Sequence, residues 1–386
     1  MKVKRVIDHI KGEKSGPTVV FFGGIHGNEP AGVLALRHVF NEIRTKKIPV
    51  RGSVYGLSGN LGALEHKMRF QKEDFNRIWF PDRIHRILKE ETLQHPEELE
   101  LKKLYLLIRE ILEMEHPPFY FLDLHTTSSD TTPFMVLNDS LLNRKYASNY
   151  PLPIILGIEE YLHGALLSHI NELGYVSLGF ESGQHDDPKA VETCIDFIWY
   201  SLMLTQAIPQ DEKVKKQHYD AIFKASDTTH RFYEIYHQHV IPTDHTFTMK
   251  SGFVNFQWVP KGTDLAIENG MVLQTRQQRQ IFMPLYQKQG NEGFYFIRPI
   301  PRVVLWLSKQ LRRCKVDDMI VILPGVKWDS SAKNTLVVDL RIARFFAKKF
   351  FHLLGYRARQ VDETHLRIKN RERASKTEDY VETAWF

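Results

Sequence analysis

An apolar run, Thr18-Val19-Val20-Phe21-Phe22, breaks into Gly23-Gly24-Ile25-His26-Gly27-Asn28-Glu29-Pro30, after which Val33, Leu36, Phe40 and Ile43 recur at helical spacing. A buried strand, a glycine turn and a helix whose first turn tolerates Pro30 make the opening unit of an open α/β sheet. Such sheets gather functional groups at the carboxyl ends of their strands. The turn carries an imidazole and a carboxylate three residues apart, His26 and Glu29, which can share one metal ion. Spacing alone proves little: His169-Ile170-Asn171-Glu172 repeats it in a chain with 18 histidines, and that second pair reads as a solvated helix face. Glycines on both sides and the preceding strand set the first pair apart.

A catalytic zinc takes three protein ligands and leaves a position for water. The best third donor is His125, at the end of the apolar run Phe119-Tyr120-Phe121-Leu122-Asp123-Leu124-His125, with Asp123 close enough to hold its second ring nitrogen. A third strand-like segment ends in Gly179-Phe180-Glu181-Ser182-Gly183, and Glu181 is placed to act as general base on a zinc-bound water. The loop Met68 to Phe80 adds guanidinium groups. Arg77 beside Asn76 suits a substrate carboxylate, and Arg69 suits a developing oxyanion.

In this order, Gly-Gly-x-His-Gly-Asn-Glu, Arg69 followed by Asp-Phe-Asn-Arg, Asp-Leu-His-Thr-Thr and the Gly-x-Glu-x-Gly turn resemble the succinylglutamate desuccinylase/aspartoacylase family of zinc amidohydrolases, relatives of the zinc carboxypeptidases. The resemblance covers the first half to three quarters of the chain. It implies one zinc ion held by His26, Glu29 and His125, with Glu181 as general base and Arg69 as carbonyl polariser. It further implies that Asn76 and Arg77 hold the substrate's α-carboxylate and that Tyr295 is the tyrosine the family's C-terminal domain lends to the pocket. Aspartoacylases carry an arginine ten residues before the general base, where this chain has Asn171. An amide cannot supply that ion pair, so an N-acyl amino acid other than N-acetylaspartate is expected as substrate.

With 386 residues and 42% apolar content the chain can bury large cores in two or three domains. Cys194 and Cys314 are too few for a disulfide framework, the first residues lack a signal-peptide core, and no run approaches the ~20 apolar residues of a membrane span. A cytoplasmic protein without a membrane partner is expected. Strands alternate with helices, among them 96–115 and 189–206, up to about Gln206. The polar run 209–217 reads as a linker or exposed helix. Short strands then follow over 247–256, 271–274 and 280–286, broken by Gly252, Pro260-Lys261-Gly262 and Asn269-Gly270. The expected fold is α/β, a zinc-carboxypeptidase-like mixed sheet flanked by helices (1–208). A small β domain (209–302), which closes the pocket in the resembled family, and a basic α/β extension (303–386) follow it.

The extension has 17 Lys and Arg against 10 Asp and Glu, which accounts for the whole chain's +6. A helix over 341–354 is expected, with Ile342, Phe345, Phe346, Phe350, Phe351 and Leu354 on one face and Arg344, Lys348 and Lys349 opposite. Such a stripe suits a core or a subunit contact in a homo-oligomer; nucleic acid is disfavoured, because charge alone is weak support for it. The functional expectation is zinc-dependent hydrolysis of a small N-acyl amino acid. Two alternatives stand beside it: a zinc carboxypeptidase acting on peptide C-termini, and a non-catalytic metal-binding protein whose basic tail engages a partner.

Overall fold

The run before Gly23 becomes β2 (Lys14–Gly23), buried from Pro17 onward. Its neighbours are both parallel, β3 (Arg51–Ser58) on one side and β4 (Phe119–Thr127) on the other. Beyond β4 lies β7 (Val176–Gln184), also parallel, and antiparallel β1 (Val6–Lys11) closes the edge beside β3. Because the chain leaves β2 toward opposite sides for β3 and β4, a crevice opens at the carboxyl ends of β2 and β4. That crevice holds His26 and His125.

This computed structural model describes residues 3–386, apart from 91, 227–230, 315–320, 323, 330–334, 340, 343–352 and 361–364. The sheet continues past β7 through β5 (Phe134–Leu137), β6 (Ile154–Leu156), β8 (Phe232–Val240), β14 (Glu292–Pro299), β13 (Arg279–Phe282) and β10 (Trp258–Val259), eleven strands in all. Strand alternation sorts its side chains into two layers. Val19 and Phe21 of β2 join Leu36 and Val39 of α1 (Ala31–Thr45) and Phe197 and Ile198 of α7 (Pro188–Leu204) on one face. Val20 and Phe22 meet Leu101, Leu104 and Ile108 of α4 (Pro96–Met114) and Leu166 and Ile170 of α6 (Leu166–Glu172) on the other.

Of the expected small strands, 271–274 forms as expected, while those over 247–256 and 280–286 are shorter than their apolar runs. Strand β9 covers Phe247–Met249 and pairs with β11 (Asp264–Glu268), which pairs with β12 (Met271–Gln274) in a separate three-stranded sheet. Strand β13 stops at Phe282, because Met283 takes a positive φ and Pro284 has no N–H for a ladder. The polar run belongs to helix α8 (Glu212–Ser226), exposed except at Ile222 and Ser226 and a few half-buried positions. Among the described residues no helix is long and apolar enough to cross a membrane.

After α9 (Arg302–Arg313) the tail forms an antiparallel sheet in the order β15 (Val326–Trp328), β16 (Thr335–Asp339), β18 (His365–Asn370), β17 (Tyr356–Gln360). The helix expected over 341–354 falls mostly outside the described residues. Residues 372–386 then return beneath the main sheet. There the fully buried Tyr380 donates its hydroxyl to the Phe119 carbonyl and accepts the Val176 N–H, while the Trp385 indole donates to the Tyr120 hydroxyl at 2.9 Å. Tyr380→Phe removes both bonds at a dry site and should cost about 1–3 kcal/mol, read as a lower urea midpoint. An unchanged midpoint would mean that these two hydrogen bonds add nothing to stability.

Candidate active site

Two glycines shape the turn after β2. Gly24 has a φ of +67°, and a side chain on Gly27 would strike the Ala63 carbonyl, since an added Cβ would lie 2.2 Å from its oxygen. Packed this tightly, the turn also donates the Gly27 N–H to the Arg69 carbonyl at 3.2 Å, tying the His26 turn to the arginine loop. In the neighbouring ladder His125 of β4 is the direct register partner of Glu181 of β7.

His26, Glu29 and His125 are all buried, and their donor atoms lie within 4.8 Å of one another. His26 Nδ1 is 2.8 Å from Glu29 Oε1, and His125 Nδ1 is 2.8 Å from Glu29 Oε2, which also accepts the Thr126 N–H at 3.2 Å. The two Nε2 atoms face away, to Asp74 at 3.1 Å and Asp123 at 2.8 Å. A carboxylate on Nε2 fixes the N–H there and leaves the Nδ1 lone pair for the shared centre. Burial opposes ionisation of Glu29, yet His26 and His125 hold it well below the usual carboxylate range. Burial likewise disfavours charge on His125, but Asp123 and Glu29 outweigh it and raise the imidazole well above its usual value.

Arg69, Asn76, Arg77, Glu181 and Tyr295 line the same pocket as the His-Glu-His cluster, in a cavity of about 140 Å³. Every residue expected at the site is therefore brought together. Glu181 is buried, and its Oε2 has no hydrogen-bond partner among the described residues; burial pushes this carboxyl up to about 8. Arg69 grips Asp74 from Nε at 3.1 Å and stands 3.6 Å from Glu29. Arg77 gives its Nε and one terminal N–H to Glu292 and another N–H to the Asn76 carbonyl. A guanidinium has five N–H donors, so two remain for an incoming carboxylate. The Asn76 side-chain oxygen accepts the Leu166 N–H at 2.9 Å, which leaves its amide N–H₂ available, and the buried Tyr295 hydroxyl accepts from Gln238 at 3.2 Å.

Several contributors escape a reading of the residues alone. Asp74 sits inside the quoted Asp-Phe-Asn-Arg motif but has a role only once His26 and Arg69 are seen on either side of it. Glu292 precedes Tyr295 by three residues, and only the fold brings it to Arg77. His185 lines the pocket, 2.8 Å from the Thr126 hydroxyl. Two expectations need correction. His169 is not on a solvated face: it is half-buried between Trp79 and Tyr105, with ring centroids at 5.8 and 5.7 Å, and burial lowers its pKa. Asn171 is buried outside the pocket lining, where helix α6 instead presents Leu167 and Ser168.

A mixed sheet here sets a buried His-Glu-His cluster, a glutamate whose Oε2 has no hydrogen-bond partner among the described residues, and two arginines around one crevice. Residues 15–184 match the family described as the succinylglutamate desuccinylase/aspartoacylase catalytic domain, so this part of the chain is similar to that family. Solved structures agree in fold. A succinylglutamate desuccinylase from Chromobacterium violaceum is 16% identical, with a TM-score of 0.52 over 75% of this chain and 86% of its own. A succinylglutamate desuccinylase/aspartoacylase from Rhodobacter sphaeroides is 18% identical, with a TM-score of 0.55 over 76% and 88%. The product-bound ectoine utilization protein EutE (DoeB) from Ruegeria pomeroyi is 15% identical, with a TM-score of 0.53 over the same shares. No curated protein matches the chain in sequence.

Proposed function

We propose that this protein hydrolyses the amide bond of an N-acyl amino acid, releasing a carboxylic acid and an amino acid, with one zinc ion held by His26, Glu29 and His125. The observation that carries this reading is the convergence of two imidazole Nδ1 atoms on one buried carboxylate, each ring anchored behind by its own aspartate, in a pocket that also holds Glu181 and Arg77. The donor set fits zinc: two imidazoles and a carboxylate are a common set of three ligands for a catalytic ion, and the surrounding acids favour a cation. When bound, zinc supplies Lewis acidity, which polarises a carbonyl and makes water nucleophilic near neutral pH.

The chain's own groups do the rest. Arg77 and the Asn76 amide orient the substrate carboxylate, with Glu292 fixing the guanidinium and Tyr295 walling that end. Arg69 places positive charge where the oxyanion develops. Glu181 takes a proton from the attacking water and returns it to the leaving amine. The remaining wall sets Leu137, Ile158, Leu162 and Leu167 beside Asn138, Glu159 and Ser168 and, among the described residues, offers no Lys or Arg beyond Arg69 and Arg77, which does not suit a second substrate carboxylate. In this reading residues 1–208 carry the metal and the base, 209–302 contribute Glu292 and Tyr295, and 303–386 stand outside the chemistry.

The test is a screen of zinc-loaded protein over acetyl, succinyl and longer-acyl amino acids, both acidic and neutral. Activity confined to N-acetylaspartate would overturn the side-chain inference. Release of C-terminal residues from peptides, with no deacylation, would make the protein a carboxypeptidase. The anchoring carboxylates make a separate prediction: Asp123→Asn should weaken zinc ~10–100-fold in chelator competition, because His125 loses the partner that fixes its tautomer.

A further inference from the structure

The tail contributes no residue to the chemistry above, yet it is bolted to the pocket wall from behind. Asn138, Ile158, Glu159 and Leu162 line the pocket. The next residue, Asp139, donates its N–H to Glu159 Oε1 at 3.1 Å, so it joins the loop after β5 to the 3₁₀ turn Ile158–Glu160. Asp139 is itself held from the tail. Arg312 of α9 donates to Asp139 Oδ2 at 2.9 Å and to its carbonyl at 3.1 Å, and the two side chains are 0% and 1% exposed.

The same guanidinium reaches Glu372 at 2.8 Å and the Leu353 carbonyl at 3.1 Å, and Glu372 in turn accepts the Leu141 N–H at 2.8 Å. Arg144 also pairs with Asp139, and strand β17 runs along the 3₁₀ turn. A fully buried arginine is poorly explained as a source of stability, because its desolvation offsets most of the attraction. Its forked donors do specify one arrangement of everything they touch. Here they touch the backbone and side chain of the residue that ties two wall segments together.

The structure assigns Arg312 a positioning role: through Asp139 the extension 303–386 braces the wall that receives the substrate side chain. The activity readout of this inference rests on the deacylase reading; its structural readout does not. Arg312→Leu and the milder Glu372→Gln, which takes the charge from the outer side of Arg312, should each raise amide exchange in 137–141 and 157–162 ~10-fold, with exchange in 122–126 and zinc content unchanged. On a panel of N-acetyl amino acids, N-acetylglycine should be cleaved as by wild type, whereas KM should rise ~3–10-fold for bulky side chains with kcat retained.

If Arg312→Leu does not fold, Glu372→Gln alone decides. Unchanged exchange in both wall segments would overturn the brace whatever the enzyme cleaves. So would raised exchange throughout the chain with an equal loss on every substrate, since that marks general destabilisation. A wild-type protein that cleaves no N-acyl amino acid would sink the deacylase reading while the exchange data still judge the brace.

Discussion

Glu181→Gln should lower kcat at least ~10³-fold while the protein keeps its zinc and its substrate affinity. The side chain is buried beside His125 across the β4–β7 ladder, and burial holds the carboxyl near 8, so it can both take and return a proton around neutrality. Glutamine keeps the shape and removes the proton acceptor. Because Glu181 stands outside the His26, Glu29 and His125 cluster, metal content measured by elemental analysis should not move. A variant with full turnover would end the proposed mechanism, and one without metal would make Glu181 a ligand instead of a base.

Glu29→Gln should abolish high-affinity zinc binding, a loss larger than the ~10–100-fold typical of an outer partner. Glu29 faces both Nδ1 atoms and the Thr126 N–H, and it is the only anion among the three donors. An amide turns one of those two oxygens into a donor and removes the charge. Calorimetry gives a second readout: zinc at 1,000 times its Kd stabilises the folded state by about 4 kcal/mol, so a chelator should lower the wild-type Tm and leave the variant's unmoved. Wild-type zinc stoichiometry in the variant would mean that the ion sits elsewhere.

Whatever chemistry lies in short contiguous motifs at strand ends was readable in the chain. The apolar run before Gly23 and the one ending at His125 announce parallel strands, and parallel neighbours in an α/β sheet point their carboxyl ends to one rim. What could not be read depends on partners far apart in sequence. Glu292 meets Arg77 across 215 residues, and Asp74 meets His26 across 48. His169 looks like a surface histidine until Trp79 and Tyr105 close over it. Strand β8 is hard to read in the chain because Phe-Tyr-Glu-Ile-Tyr-His-Gln-His-Val mixes aromatic, charged and imidazole side chains without clean alternation; its pairing with β14 makes it a strand.

The tail residues beneath β4 also have a consequence for biosynthesis. The strand that carries His125 is capped by Tyr380, hydrogen-bonded to Phe119 across 261 residues, and by Trp385. A ribosome must therefore synthesise at least 380 residues before this core can be sealed. Until then the apolar underside of β4 and β7 is exposed in the nascent protein, and a long loop must close before it is covered. Sealing of this core should thus be a late step of folding, and chains stalled before residue 380 should be natural clients of chaperones.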